Sequence, residues 1–124
     1  MRLICKLCSS ELSPELSAAH ISQRNETDGE DFLRRGTIMQ EDGSYFHGRQ
    51  NAYIVHVDDA IRVHLTNDGK RLAGCCGLDG MDGPNLQCDN CGAYVATKKD
   101  DCWMARCIVF DPATTGAISG AGSR

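Results

Sequence analysis

Eight cysteines in 124 residues carry most of the chemistry this chain could do, and four of them fall in two short brackets. Cys5-Lys6-Leu7-Cys8 and Cys88-Asp89-Asn90-Cys91 lie about eighty residues apart in nearly the same setting. Leu3-Ile4 leads into the first and Ser9-Ser10 follows it; Leu86-Gln87 leads into the second and Gly92-Ala93 follows. An apolar strand, two thiols three positions apart and a turn of small residues make a zinc knuckle, and two knuckles supply the four thiolates of one tetrahedral site. Zinc is borderline-soft, and four sulfurs leave no position for water. Cys5, Cys8, Cys88 and Cys91 are therefore expected to hold one Zn²⁺ ion in a structural role.

Cys75, Cys76, Cys102 and Cys107 remain. A second four-coordinate site would use all eight thiols. Adjacent residues such as Cys75 and Cys76 project in different directions, so their joint use of one metal requires an unusual loop, which Gly74 and Gly77 would permit. Another partition is open: Cys76, Cys88, Cys91 and Cys102 form a C-x11-C-x2-C-x10-C series that frees Cys5 and Cys8. Cys75, Cys76 and Cys102 thus stand as a possible second metal site or as alternative ligands, and the spacing does not choose between these. Cys107 lies in an apolar run and reads as a buried free thiol.

Between the brackets, glycine recurs at positions 74, 77, 80 and 83, too few triplets and too little proline for a collagen-like helix. The pattern predicts a tightly folded loop with close backbone approaches that guides the chain into the second knuckle. As a binding loop it would offer the carboxylates of Asp79 and Asp82, without the spacing of a calcium loop.

The run GCCGLDGMDGPNLQCDNCGAYVATKKDDCW, Gly74–Trp103, resembles a core of small bacterial proteins that share GCCG…DGPN…CxxCG…DCW, preceded in some by an N-terminal CxxC. The resemblance covers about a quarter of the chain directly and brings no known activity. It implies that Cys75, Cys76, Cys88, Cys91 and Cys102 belong to one constellation and that Cys107 stands outside it.

The bulk properties set the frame for these thiols. A chain of this length is one domain with a modest core, and with 41% apolar but only 6% aromatic residues it is thin in large side chains. A structural zinc ion contributes roughly 10–16 kcal/mol of apparent binding energy to folding, as much as an ordinary domain's whole stability of roughly 5–15 kcal/mol. The first residues lack a signal-peptide core and the longest apolar runs, Ala52–Val55 and Cys107–Phe110, are four residues, which argues against export and membrane spans. A cytoplasmic location follows, where CxxC pairs favour metal over disulfide. Thirteen basic against seventeen acidic residues give a net charge of −4 with no concentrated basic stripe, which disfavours nucleic acid as a partner.

The elements that position the thiols read as mostly β, with at most one short N-terminal helix. Ser13-Pro14-Glu15 has the form of a helix start for a segment over 14–23. Strands are expected over Phe32–Gln40, Ala52–Val57, Ala60–Thr66 and Cys102–Phe110, with a hairpin turn at Glu41-Asp42-Gly43-Ser44 returning through Tyr45-Phe46. In Ala60–Thr66 the alternation of Ile61, Val63 and Leu65 with Arg62, His64 and Thr66 predicts a half-buried strand. The domain is expected over 1–112, and the small, Gly/Ser-rich residues 113–124 read as a disordered tail. A metal shared by both knuckles would tie distant parts of the sheet together, as in an elaborated zinc ribbon or a β-tent.

His47, His56 and His64 read as surface or packing residues, and neither a Ser-His-Asp order nor a phosphate loop is present. The leading functional reading is a zinc-binding module for another protein, with no membrane partner. The enzyme alternative is thiol redox chemistry at Cys75-Cys76, since β-tent proteins include methionine sulfoxide reductases with a similar double-CxxC site, although no matched reductase motif occurs here. A nucleic-acid-binding zinc ribbon is the third reading.

Overall fold

The computed structural model describes residues 1–41 and 51–118. They form a small, mostly β single domain of two sheets. Strands β1 (Arg2–Cys5), β2 (Ser17–Ala18), β3 (Thr37–Gln40), β4 (Tyr53–Val55), β5 (Val63–Leu65), β6 (Leu86–Cys88), β7 (Tyr94–Lys99), β8 (Cys107–Phe110) and β9 (Thr115–Ile118) follow in chain order. The larger sheet runs β2-β3-β4-β8-β7-β6-β5, antiparallel except for the β2–β3 pair, and β1 pairs with β9 in a separate antiparallel ribbon.

Strand β8 explains why the sheet has two cores. Its four residues Cys107-Ile108-Val109-Phe110 are all buried, an unbroken apolar run of the kind required when both faces of a strand are covered. Ile108 and Phe110 join Leu3, Leu12, Leu16, Ile38, Val55 and Val95 on one side, together with Cys5 and Cys88. Cys107 and Val109 join Phe32, Leu33, Met39 and Ile54 on the other. The period of two sends alternate residues of β3, β4 and β8 to opposite layers, so the clamp cysteines grow out of one core and Cys107 is sealed in the other.

Several expected elements are shorter than the sequence suggests. The predicted helix over 14–23 is replaced by β2 and a single 3-10 turn, Ile21–Gln23. The Ser13 hydroxyl does not cap a helix; it accepts from the Leu3 N–H at 2.9 Å, and the backbone of Leu12 and Leu16 donates to Leu3 and Met1. That segment is spent on lining β1. The run Phe32–Gln40 is divided at Gly36, whose φ of 82° turns the chain, so Phe32 and Leu33 fill the second core and only Thr37–Gln40 pair as a strand. Buried Asp59 pins this turn by accepting from the Gly36 N–H at 2.7 Å and from Arg35 Nε at 2.8 Å.

Strand β5 starts only at Val63, because Arg62 has a φ of 56°, and at the sheet edge His64 and Leu65 are exposed rather than half-buried. Cys102 lies in a turn before β8, not in it. The tail expected from residue 113 also needs correction: Thr115 is buried, and Thr115–Ile118 pair with Cys5–Arg2, extending the folded domain to Ile118. The expected turn and return at 42–46, with His47, and the last residues, 119–124, lie outside the described residues.

Candidate metal centre

The two brackets fold as near-copies. In each, the N–H of the residue after the second cysteine donates to the first cysteine's carbonyl at 2.8 Å, Ser9 to Cys5 and Gly92 to Cys88. The N–H of the first cysteine then donates five residues on, Cys5 to Ser10 at 2.9 Å and Cys88 to Ala93 at 2.8 Å. Both turns require a left-handed residue at the same place, Ser9 with φ of 66° and Gly92 with φ of 78°. This shared backbone aims two sulfurs from each turn at one point.

There the expected four residues meet. Cys5 and Cys91 Sγ are 3.7 Å apart and Cys8 and Cys88 Sγ 3.6 Å, and all four sulfurs lie within 4.8 Å of one another. Cys5 and Cys88 are buried, Cys8 is half-buried and Cys91 is exposed. The cluster could hold a metal ion. One knuckle follows β1 on the ribbon and the other follows β6 on the large sheet, so an ion here would fasten one sheet to the other.

The electrostatics are uneven. The Asn90 side chain, then the Ser10 backbone N–H, stabilise the Cys8 thiolate and hold that thiol down at about 6. Burial pushes the Cys88 thiol up. At Cys91 the Ala93 N–H favours the thiolate, but burial and the neighbouring Cys5 and Cys8 sulfurs outweigh it and raise the thiol. A cation placed among the sulfurs would favour the thiolate form, because four adjacent negative sulfurs repel until a positive charge sits between them. A surface depression of about 430 Å³ lined by Cys8, Ser9, Ser10, Arg62, Asp89 and Asn90 gives access to the cluster.

Cys75, Cys76 and Cys102 form a second group, all exposed, with sulfurs within 4.8 Å of one another, and a disulfide joins Cys76 to Cys102. The structure thus divides the five-cysteine constellation into two groups. The alternative set Cys76, Cys88, Cys91 and Cys102 is not assembled, and the bonded pair is not Cys75-Cys76. Cys107 is a free, buried thiol that burial pushes up to about 12.

The glycine-spaced loop is built on close approach. A Cβ on Gly74 would lie 1.6 Å from the Gly77 carbonyl oxygen, and one on Gly77 would lie 2.5 Å from that of Asp100. Asp79 turns inward on its own loop, accepting from the Met81 N–H at 2.9 Å, while Asp82 is exposed. His56 is buried and its Nδ1 accepts from the Asp58 N–H, which leaves Nε2–H to face Asp31 at 3.1 Å. Exposed His64 contacts Asp89 of the second knuckle at 2.6 Å.

Sequence reasoning missed Asp101. Within Lys98-Lys99-Asp100-Asp101 it reads as part of a solvated charge run, yet its side chain is fully buried. It accepts from the backbone N–H groups of Cys75, Cys76 and Cys102 and from the Trp103 indole. Those donors, the Cys75 N–H foremost, hold its carboxyl below the usual range against the opposing effect of burial. The only signal in the chain is its place directly before a cysteine, opposite a glycine-bounded cysteine pair.

No known protein family matches this chain, and no match to it is found among curated proteins or solved structures. Among the described residues, no helix is long and apolar enough to cross a membrane.

Proposed function

We propose that this protein is a zinc-clamped module that binds another protein. The observation that carries the reading is the four-sulfur cluster. A tetrahedron with zinc–sulfur bonds of about 2.3 Å has edges of about 3.8 Å, and the cross-knuckle separations of 3.6 and 3.7 Å are close to that. The donor set is all thiolate and complete, so the ion holds shape and takes no substrate. A reducing, cytoplasmic setting suits such a site. Knuckles on two different sheets favour a β-tent description over a simple ribbon.

Partner binding is supported by the surface beside the glycine loop. Trp103 is 51% exposed while its indole N–H is tied to Asp101 at 2.8 Å, so a large aromatic face is presented with little freedom left to lose. Aromatic anchors of this kind dominate interface energetics. Met81, at 69% exposure, adds an adaptable apolar group. The acidic net charge favours a protein over a nucleic-acid partner.

Native mass spectrometry should record zinc bound at one ion per clamp, and Cys88→Ser should lose that ion together with the native circular dichroism spectrum. A folded, zinc-replete Cys88→Ser protein would sink the ligand assignment. Affinity capture with zinc-loaded wild type and Trp103→Ala should retain a partner on the first and lose it on the second. Equal recovery would remove Trp103 from the binding surface.

A further inference from the structure

The second thiol group is held together by something other than its disulfide. Asp101 Oδ2 accepts from the Cys75 N–H at 2.9 Å and from the Trp103 indole at 2.8 Å. Its Oδ1 accepts from the Cys76 N–H at 3.1 Å and the Cys102 N–H at 2.7 Å. None of these four donors is a sulfur, so the cage does not depend on whether Cys76 and Cys102 are bonded. Asp100 reinforces it from the other side, accepting from the Leu78 N–H at 2.6 Å, while the Asp100 and Asp101 N–H groups both donate to the Leu78 carbonyl. Gly74 and Gly77 allow this packing, since a side chain at either would strike backbone. Cutting the disulfide therefore leaves three sulfurs side by side at the surface.

The same hydrogen bonds decide which ligands the group can offer. A carboxylate has about four lone-pair directions, and four N–H donors occupy those of Asp101. Cys76 Sγ also lies 3.3 Å from Oδ1. The carboxylate is thus engaged as scaffold, and among the described residues the site presents three sulfurs and no histidine or further carboxylate beside them. Zinc in a closed site takes four ligands, whereas all-sulfur sets select soft cations such as Cu(I).

We infer that Cys75, Cys76 and Cys102, when reduced, form a three-thiolate site for a soft monovalent d¹⁰ cation of the Cu(I) class, and that the Cys76–Cys102 disulfide is the closed state of that site. Opening it takes two electrons and two protons from a dithiol reductant. One reductant thiolate attacks a sulfur of the bond, forming a mixed disulfide and freeing the other cysteine. The second reductant thiol then displaces the protein sulfur, and the reductant leaves as its own disulfide. The cation next displaces the three thiol protons and keeps its oxidation state, so no further electron moves. The site is independent of the zinc clamp, with which it shares no ligand.

The test is an anaerobic titration of the zinc-loaded full chain with Cu(I) against a chromophoric Cu(I) chelator. After dithiol treatment the chain should bind one Cu(I), develop a near-ultraviolet thiolate-to-copper band and keep its zinc. The untreated disulfide form should bind none at this site. Cys75→Ser leaves both the disulfide and the Asp101 cage intact, so it should fold normally and, when reduced, weaken copper binding about tenfold or more, at least the cost of losing an outer-shell partner. Unchanged binding in Cys75→Ser, release of zinc in step with copper uptake, or equal binding by the disulfide form would each overturn the inference.

Discussion

The pairing of Ser9 with Gly92 makes a quantitative prediction about the clamp. Both residues sit at the same place in their turns with left-handed φ and the same 2.8 Å hydrogen bond. An L-residue in that conformation costs about 1–2 kcal/mol. Glycine avoids the strain but gives the unfolded chain extra freedom, which offsets about 0.4–1 kcal/mol. Ser9→Gly should therefore stabilise the zinc-loaded protein by a net amount of about 0.5–1 kcal/mol, and Gly92→Ala should destabilise it by the same amount. The comparison is clean because Ser9 is exposed and a Cβ added at Gly92 meets no atom within 4 Å, so backbone conformation alone is changed. With a guanidinium slope of about 3 kcal/mol per molar, the midpoints should move about 0.2–0.3 M in opposite directions with the slope unchanged. The measurement needs a fixed excess of free zinc, since unfolding releases the ion and apparent stability follows its concentration. Shifts of the same sign, or a neutral Gly92→Ala, would refute the equivalence of the two turns.

Other outcomes follow from the same structure. A strong zinc chelator at neutral pH should remove the ion and unfold the domain, because the apparent binding energy of about 10–16 kcal/mol matches or exceeds a domain's stability of about 5–15 kcal/mol; circular dichroism with metal analysis checks this, and a native spectrum in the metal-free protein would contradict it. Cys107, with its thiol at about 12, should react with an alkylating reagent at pH 8 roughly a thousandfold more slowly in the folded protein than an ordinary thiol, and normally once denatured. Because folding raises this thiol from 9.0 to about 12, its contribution to stability is complete below pH 9 and is lost as pH rises towards 12; Cys107→Val should flatten that part of the stability profile. Gly77→Ala should cost about 1–3 kcal/mol by pushing a methyl into the Asp100 backbone, read as a lowered denaturation midpoint. Asp101→Asn should cost at least about 1–3 kcal/mol, since an amide turns a donor towards backbone N–H groups that now find an acceptor.

The clamp was legible because its information is local. A CxxC bracket with small residues after it specifies a knuckle within six or seven positions, and Cys5, Cys8, Cys88 and Cys91 do meet. Which strands lie beside each other is not local, and alternation shows that a segment is half-buried without saying against what. Ser13-Pro14-Glu15 carries the residues of a helix start, but its hydroxyl is used by Leu3, a contact no window of sequence contains. Strand β9 escaped notice because Thr115-Gly116-Ala117 offers little apolar surface, while its pairing is earned by backbone bonds to β1. Asp101 was hidden for a related reason: a buried carboxylate is tolerated only where donors surround it, and although Cys102 and Trp103 are its neighbours in sequence, the other two donors come from Cys75 and Cys76, about twenty-five positions earlier.

The span of the clamp has a consequence for how the molecule comes into being. Its cross-knuckle pairs join residues 80 and 86 positions apart, and β1 finds its ladder partner only at Thr115–Ile118. At synthesis rates of about 5–20 residues per second, the first knuckle waits on the order of ten seconds with two sulfurs and no counterpart. Two thiolates make a poor zinc site, so firm capture of an ion would begin only when Cys91 emerges, and the ribbon closes later still. A firmly held ion would thus distinguish a chain carried through its second knuckle from one that stopped short.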